Sequence, residues 1–341
     1  MRADWPANAR CYSVFVMTSD LVAITDCDLP GTAADDALTA AGLRVRRAAS
    51  PSADDIAEAA ADASALIVQW ATIDGALLDR LPHLRFISRL GIGYDMIDVE
   101  AATERGILVA NTPAYCLDEV ATHTLAMILA LGRGLIGYDR AVRAGRWSAV
   151  DARPMGFRPA ATTVSVVGYG RIGSLVARRC AALGFRVLVA DPMVDDGDVL
   201  AEGLEPVSLD DAIARADVLT LHAPLTDATR HLVDARALAA MRPSAVLVNT
   251  CRGPLVDEDA LAEALASGGI AGAAIDVFDS EPLPATSRLR ALDNVLLTPH
   301  AAWYSPQALA DLPLHAAGNI VDHFAGRPVA AVVNRAVATA D

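Results

Sequence analysis

Aromatic residues are scarce in this chain: Phe, Trp and Tyr make up 5% of it, against a hydrophobic share of 53%. With few large rings, the core has to be built from Ala, Val, Leu and Ile, a composition that suits strands covered by helices on both faces. Basic residues are also outnumbered. Lys and Arg total 28 against 42 Asp and Glu, a formal net charge of −14, which argues against nucleic acid or an anionic membrane as a general partner. A small anionic ligand stays possible, because a few local cations or a helix N-terminus can hold one. The five cysteines (Cys11, Cys27, Cys116, Cys180, Cys251) are scattered and show no Cys-x-x-Cys spacing. That opposes a disulfide framework and a zinc site, so no metal is expected, and it suits a reducing cytoplasm. No apolar run reaches the length of a membrane span. The first twenty residues lack a basic head and a small-residue cleavage site, and are expected to be an extension rather than a signal peptide.

What the chain does have is alternation. Short β-rich runs over 21–25, 43–45, 65–68, 85–88 and 107–109 are separated by helix-like stretches such as 54–63 and by Gly, Asp and Pro punctuation. This is the signature of βαβ units and a parallel sheet. Asn111-Thr112-Pro113 interrupts the pattern. Residues 118–131 then read as a long helix, apolar nearly all round through Val120, Leu125, Ile128 and Leu131, and so buried where two domains or subunits meet. A second series places strands over 163–167, 186–190, 218–221, 245–248, 273–277 and 295–298. Six strands in that length complete a doubly wound sheet. The tail reads as helical from Ser305 through Phe324, then as a strand-like run over 328–334. The fold class is α/β, with two doubly wound domains.

Gly168-Tyr169-Gly170-Arg171-Ile172-Gly173 is a G-x-G-x-x-G directly after the strand 163–167. It opens an amphipathic helix with Ile172, Leu175, Val176, Cys180 and Leu183 on one face, and Arg178 and Arg179 at its margin. Gly168 permits a tight turn, Gly170 lets a pyrophosphate approach the backbone, and Gly173 lets helix and strand pack closely. The phosphates would sit at the helix N-terminus. Asp191 follows the next strand, at a distance that suits a carboxylate on the adenosine ribose hydroxyls and favours NAD over NADP. A bare strand–helix turn is the plainer reading of the glycines alone; the flanking strand, the helix and Asp191 favour a dinucleotide.

Three polar residues follow three successive strands of the second series: Arg252, Glu281 and His300. A guanidinium can hold a substrate carboxylate at two points; alternatively Arg252 pairs with Asp257, the expected N-cap of a helix over 258–266, or with Glu258. A carboxylate hydrogen-bonded to an imidazole fixes its tautomer and suits it to acid catalysis. Arg, Glu and His beside a nicotinamide describe a 2-oxo acid reductase: Arg252 anchors the carboxylate, hydride reaches C2, and His300 gives the new hydroxyl its proton.

These residues, with Gly91-Ile92-Gly93-Tyr94-Asp95, His222-Ala223-Pro224-Leu225-Thr226 and Asn249-Thr250-Cys251-Arg252-Gly253, resemble the D-isomer-specific 2-hydroxyacid dehydrogenase family over nearly the whole chain. The run His300-Ala301-Ala302-Trp303-Tyr304-Ser305 is most similar to the branch containing the C-terminal-binding proteins and their bacterial dehydrogenase relatives. The resemblance implies a flavodoxin-like substrate domain built from residues 1–112 and 304–341, with a Rossmann NAD-binding domain over 113–303 inserted in it. It also implies a homodimer through the Rossmann domains and a triad of Arg252, Glu281 and His300. Cofactor contacts are implied at Gly168, Gly170, Arg171, Ile172, Gly173, Asp191, His222, Ala223, Pro224, Thr226, Thr250, Cys251, Arg252, Asp276, His300, Ala302 and Thr124. Substrate contacts are implied at Arg89, Gln69, Trp70, Ile92, Gly93 and Trp303, the last with an interface or core tryptophan as its alternative. Cys251, Ser165, Met96 and Thr122 depart from the family's usual residues, which bears on substrate identity more than on reaction class. Two other readings are oxidation of another small anion, such as phosphite or a phosphonate-type compound, and an NAD(H)-sensing corepressor-like protein.

Overall fold

The computed structural model describes residues 20–150 and 156–338, so the expected N-terminal extension lies almost wholly outside the described residues. The chain divides into two compact units, one running to Tyr115 and resuming at Leu309, the other spanning Cys116–Ala308.

The first unit holds five parallel strands, β1 Leu21–Ile24, β2 Arg44–Arg47, β3 Ala65–Val68, β4 Phe86–Arg89 and β5 Leu108–Ala110, in the order β2-β1-β3-β4-β5. β1, β3 and β4 are buried along their whole length; β1 and β3 read as unbroken apolar runs, while β4 ends in the buried Ser88 and Arg89. The edge strand β2 is Arg-Val-Arg-Arg and largely exposed, a charged edge that discourages pairing with another chain. One face of the sheet packs Leu21, Leu66 and Ile87; the other packs Val22, Ile67 and Phe86 against Leu312, Ala316 and Ile320 near the chain's far end.

The second unit holds seven parallel strands: β6 Thr163–Val167, β7 Arg186–Ala190, β8 Glu205–Pro206, β9 Val218–Leu221, β10 Val246–Asn249, β11 Gly272–Ile275 and β12 Val295–Leu297. Their order is β12-β11-β10-β9-β6-β7-β8. Both sheets are thus doubly wound, as the alternation predicts, and each reverses winding at one point: between β1 and β3, and between β6 and β9. Crevices outside the C-terminal strand ends at such points are where open α/β sheets bind ligands.

Four expectations need correction. β8, two residues ending in proline, extends the second sheet to seven strands rather than six. The run 328–334 forms no strand. It makes a single antiparallel bridge, Val332 to Ala110, and the Asn334 side chain then takes over the pairing, accepting from Val109 N and donating to Ile107 O, both at 2.8 Å. A helix over Leu135–Arg143 follows the left-handed Gly134 and was not foreseen. Leu183 ends the fingerprint helix exposed, while Val176 and Cys180 are buried. Among the described residues, no single helix is long and apolar enough to cross a membrane.

Candidate active site

β6 runs into Gly168, whose φ of +92° belongs to the left-handed region. A Cβ there would stand 2.6 Å from Ala223 N, and one on Gly173 would stand 2.0 Å from Gly168 O. Both glycines are therefore required by close backbone packing around the β6/β9 switch. Gly170 differs: no atom lies within 4 Å of where its Cβ would be. It is the N-cap of the helix Arg171–Ala182 and brings no side-chain cap to it. Open space above bare amides at a helix N-terminus fits a pyrophosphate. Asp191, just after β7, is tied to the same loop; its carboxylate accepts from Tyr169 N at 2.6 Å and Met193 N at 2.8 Å.

Across the switch, His222 follows β9, with its N–H on Val167 O at 2.7 Å and its Nε2 3.0 Å from Thr220 Oγ1. Burial pushes this imidazole down to about 3, so the ring is neutral at ordinary pH. Ala223 O accepts from Cys251 Sγ at 2.9 Å, which joins this loop to the one after β10. Pro224 and Thr226 are exposed on the same loop. Thr250 lies on the β10 loop with its hydroxyl 2.8 Å from that of Thr124. Thr124 is wholly buried, also donates to Val120 O and supports Thr250 from beneath.

The three expected catalytic residues sit at the ends of neighbouring strands β10, β11 and β12. Arg252 lies on a loop held by Asn249, whose Nδ2 donates to Arg252 O at 2.8 Å. A Cβ on Gly253 would stand 2.0 Å from Phe278 C, so only glycine lets the β10 and β11 loops touch. Glu281 accepts from Phe278 N at 2.9 Å through Oε1, and its Oε2 is 2.7 Å from His300 Nδ1. Burial pushes the Glu281 carboxyl up, but the bond to His300, with Phe278 N–H and the Arg252 charge, outweighs it, and the net direction is down. An ionised Glu281 accepts a hydrogen bond from the Nδ1–H, leaving Nε2 as the atom that exchanges a proton with a ligand.

His300 has φ +51°, a conformation uncommon for a residue with a side chain. Asp276, wholly buried, accounts for it. Its backbone O accepts His300 N at 2.8 Å, and its carboxylate accepts from Ala301 N at 2.8 Å, Ala302 N at 2.9 Å and the Thr298 hydroxyl. His123 Nε2 stands 3.3 Å from that hydroxyl. Asp276 was expected among the cofactor contacts; here its carboxylate is engaged by the turn that carries His300. The supporting roles of Asn249, Thr298 and His123 were missed. The only signal for Asn249 was a polar residue ending an apolar strand.

The remaining candidates belong to the first unit, except Trp303, which packs edge-on against Tyr304. Arg89 is buried at the end of β4, donating to Leu90 O. Ile92 O accepts from Asn111 Nδ2 at 2.6 Å, and Gly93 is half-buried beside it. Gln69 is buried, and both atoms of its amide are engaged by Asp28. Trp70 is 42% exposed. Of the unusual residues, Ser165 has a buried hydroxyl with no hydrogen-bond partner, Thr122 accepts from Arg179 at 2.8 Å, and Met96 packs on the first core.

Comparison with known proteins agrees with this geometry. The family model described as the D-isomer specific 2-hydroxyacid dehydrogenase NAD binding domain matches residues 125–302. A glyoxylate reductase of Korarchaeum cryptofilum is 38% identical over 293 residues, 85% of this chain and 88% of that protein. A D-3-phosphoglycerate dehydrogenase of Mycobacterium tuberculosis is 41% identical over 259 residues, but the match spans only 48% of its length. The solved D-lactate dehydrogenase of Aquifex aeolicus, complexed with NAD and lactic acid, superposes with a TM-score of 0.84 at 28% identity, covering 92% of this chain and 99% of that one. The chain therefore belongs to the D-isomer-specific 2-hydroxyacid dehydrogenases, oxidoreductases that act on a CH–OH group with a nicotinamide cofactor.

Proposed function

We propose that the protein interconverts a small D-2-hydroxy acid and its 2-oxo acid, with NAD preferred over NADP. The observation that carries this reading is the 2.7 Å contact between His300 Nδ1 and Glu281 Oε2, placed one strand from Arg252. Bound nicotinamide supplies the hydride for C2 of the oxo acid, or accepts it in reverse. Arg252 brings a fixed positive charge for the substrate carboxylate and the carbonyl oxygen. His300 gives the Nε2 proton to that oxygen as it becomes a hydroxyl and takes it back in the oxidative direction, while Glu281 stabilises the cationic ring. Asp191 supports the NAD preference, since a carboxylate there repels a 2′-phosphate.

The test is NADH consumption over a panel of 2-oxo acids. His300→Ala is expected to lose activity by about 10²–10⁴-fold while still binding NADH; undiminished turnover in that variant would sink the mechanism. The other two readings gain no support: the relatives above are named for hydroxy-acid and oxo-acid chemistry. The proposal extends to a homodimer in the cytoplasm. Leu135, Val142, Trp147 and Val150 are all more than half exposed within sixteen residues of the second unit, and apolar surface of that kind marks an interaction site. A monomer in sedimentation at micromolar concentration would remove the dimer from the proposal.

A further inference from the structure

His300 holds a left-handed backbone, φ +51°, which a residue with a Cβ keeps only where its surroundings impose it. Asp276 restrains this turn from within. A second set of restraints comes from the helix Leu117–Gly132. Glu119 and His123 lie one helical turn apart on it, as neighbours on one face. They reach the segment 298–305 at its two ends. Ahead of His300, His123 Nε2 stands 3.3 Å from Thr298 Oγ1 and 3.9 Å from Asp276 Oδ1. Beyond His300, Glu119 Oε1 accepts from Ser305 Oγ at 2.7 Å, and that hydroxyl oxygen accepts from Ala308 N at 2.9 Å.

The direction of the first contact follows from the groups in line. Thr298 gives its one hydroxyl proton to the buried Asp276 carboxylate. Its oxygen is left to accept, so His123 Nε2 carries the proton that meets it. His123 thereby keeps the hydroxyl turned toward Asp276, whose oxygens also hold Ala301 N and Ala302 N. Glu119 does the corresponding work at the other end. By taking the Ser305 proton, it leaves the hydroxyl oxygen turned toward Ala308 N.

We infer that Glu119 and His123 are positioning residues for proton transfer: one helix face pins both ends of the segment that carries His300, and so keeps its imidazole on Glu281. The inference rests on the reading of His300 as the group that exchanges the substrate proton. The left-handed turn makes the pins necessary, because a segment released at either end can relax toward ordinary backbone and swing the ring off the carboxylate.

The experiment measures kcat and KM with the 2-oxo acid turned over fastest in the panel above. It compares the wild type with His123→Leu, His123→Gln and Glu119→Ala, each also combined with His300→Ala. His123→Leu should lower kcat by about 10–10²-fold, with NADH affinity in fluorescence titration unchanged. His123→Gln offers an amide N–H in place of Nε2–H and should recover most of that loss. Glu119→Ala changes a partly exposed helix position, so it tests the second pin even where His123→Leu folds poorly; its kcat should fall by about tenfold. Combined with His300→Ala, neither His123→Leu nor Glu119→Ala should cost anything more, since no imidazole remains to be aimed. A loss equal in His123→Leu and His123→Gln, or repeated in full without His300, marks a merely structural role and overturns the inference alone. Wild-type kcat in both His123→Leu and Glu119→Ala does the same. Undiminished turnover in His300→Ala, or a wild type inactive on every acid, overturns the reading of His300 and the inference with it.

Discussion

At the C-terminal edge of the second sheet, the loop Gly168–Gly173 gives its first two amides to Ala190 O and Asp191, and open space stands where a Gly170 side chain would be. At the corresponding edge of the first sheet, the amides of Gln69, Trp70 and Ala71 are already taken by the Asp26 carboxylate. Both edges are topological switch points, and both gather N–H donors there. They differ in how many of those donors a carboxylate of the chain takes. In the second sheet Asp191 takes one amide of the loop, that of Tyr169, whereas in the first sheet Asp26 takes three in succession. Topology therefore gathers N–H donors at the switch point of each unit, and the number that the chain's own carboxylate takes decides how many are left for a ligand.

That contrast is broken most directly within the second sheet. Gly170→Ala places a methyl where nothing clashes, on backbone that any residue can adopt. Its thermal midpoint should match the wild type, while NAD affinity falls by at least about tenfold, or 1.4 kcal/mol. Gly173→Ala instead drives its methyl into Gly168 O and should lose about 1–3 kcal/mol of stability as well. Equal melting and equal binding in the two variants would refute the distinction between bare and packed glycines. Asp191→Ala should come next. It removes both the ribose acceptor and the tie to Tyr169 N, so NAD affinity should fall and the bias against NADP relax; an unchanged cofactor ratio in titrations would take Asp191 out of the ribose site.

The smallest effect concerns pH. His222 is held neutral by burial, near 3 rather than 6.5. Between those values the unfolded chain binds a proton that the folded one refuses, so stability falls as pH falls, by up to about 1.4 kcal/mol per unit. Above pH 6.5 the group contributes no slope. Melting scans from pH 7 to pH 5 should show this slope flattened in His222→Gln; parallel curves would mean that the imidazole is not the cause.

Much of the fold was legible because strands buried on both faces are mostly apolar. β3, β6, β7 and β9 have the residues their sequence assigns them. β8 was invisible, being two residues long with a proline. The run 328–334 misled because Val332 and Val333 favour a strand, whereas the Asn334 side chain ends the pairing. At the site, Glu281 and His300 could be paired because consecutive strand ends of a parallel sheet lie side by side. The bond that engages the Gln69 amide was not legible, because its partner, Asp28, lies 41 residues away. The Thr124 hydroxyl likewise meets that of Thr250 across 126 positions. Residue type announces what a group can do, and distant contacts decide whether it is free to do it.

The two halves of the first unit also set a timetable for synthesis. The Ser88 hydroxyl on β4 donates to Ala316 O, 228 residues later, and Phe86 and Ile67 are covered by the helix that contains Ala316. The last strand of the second unit is complete by Leu297. On a ribosome, the inserted unit can close while the first still shows one bare apolar face, which makes that face the natural target of a chaperone until the helix that contains Ala316 emerges.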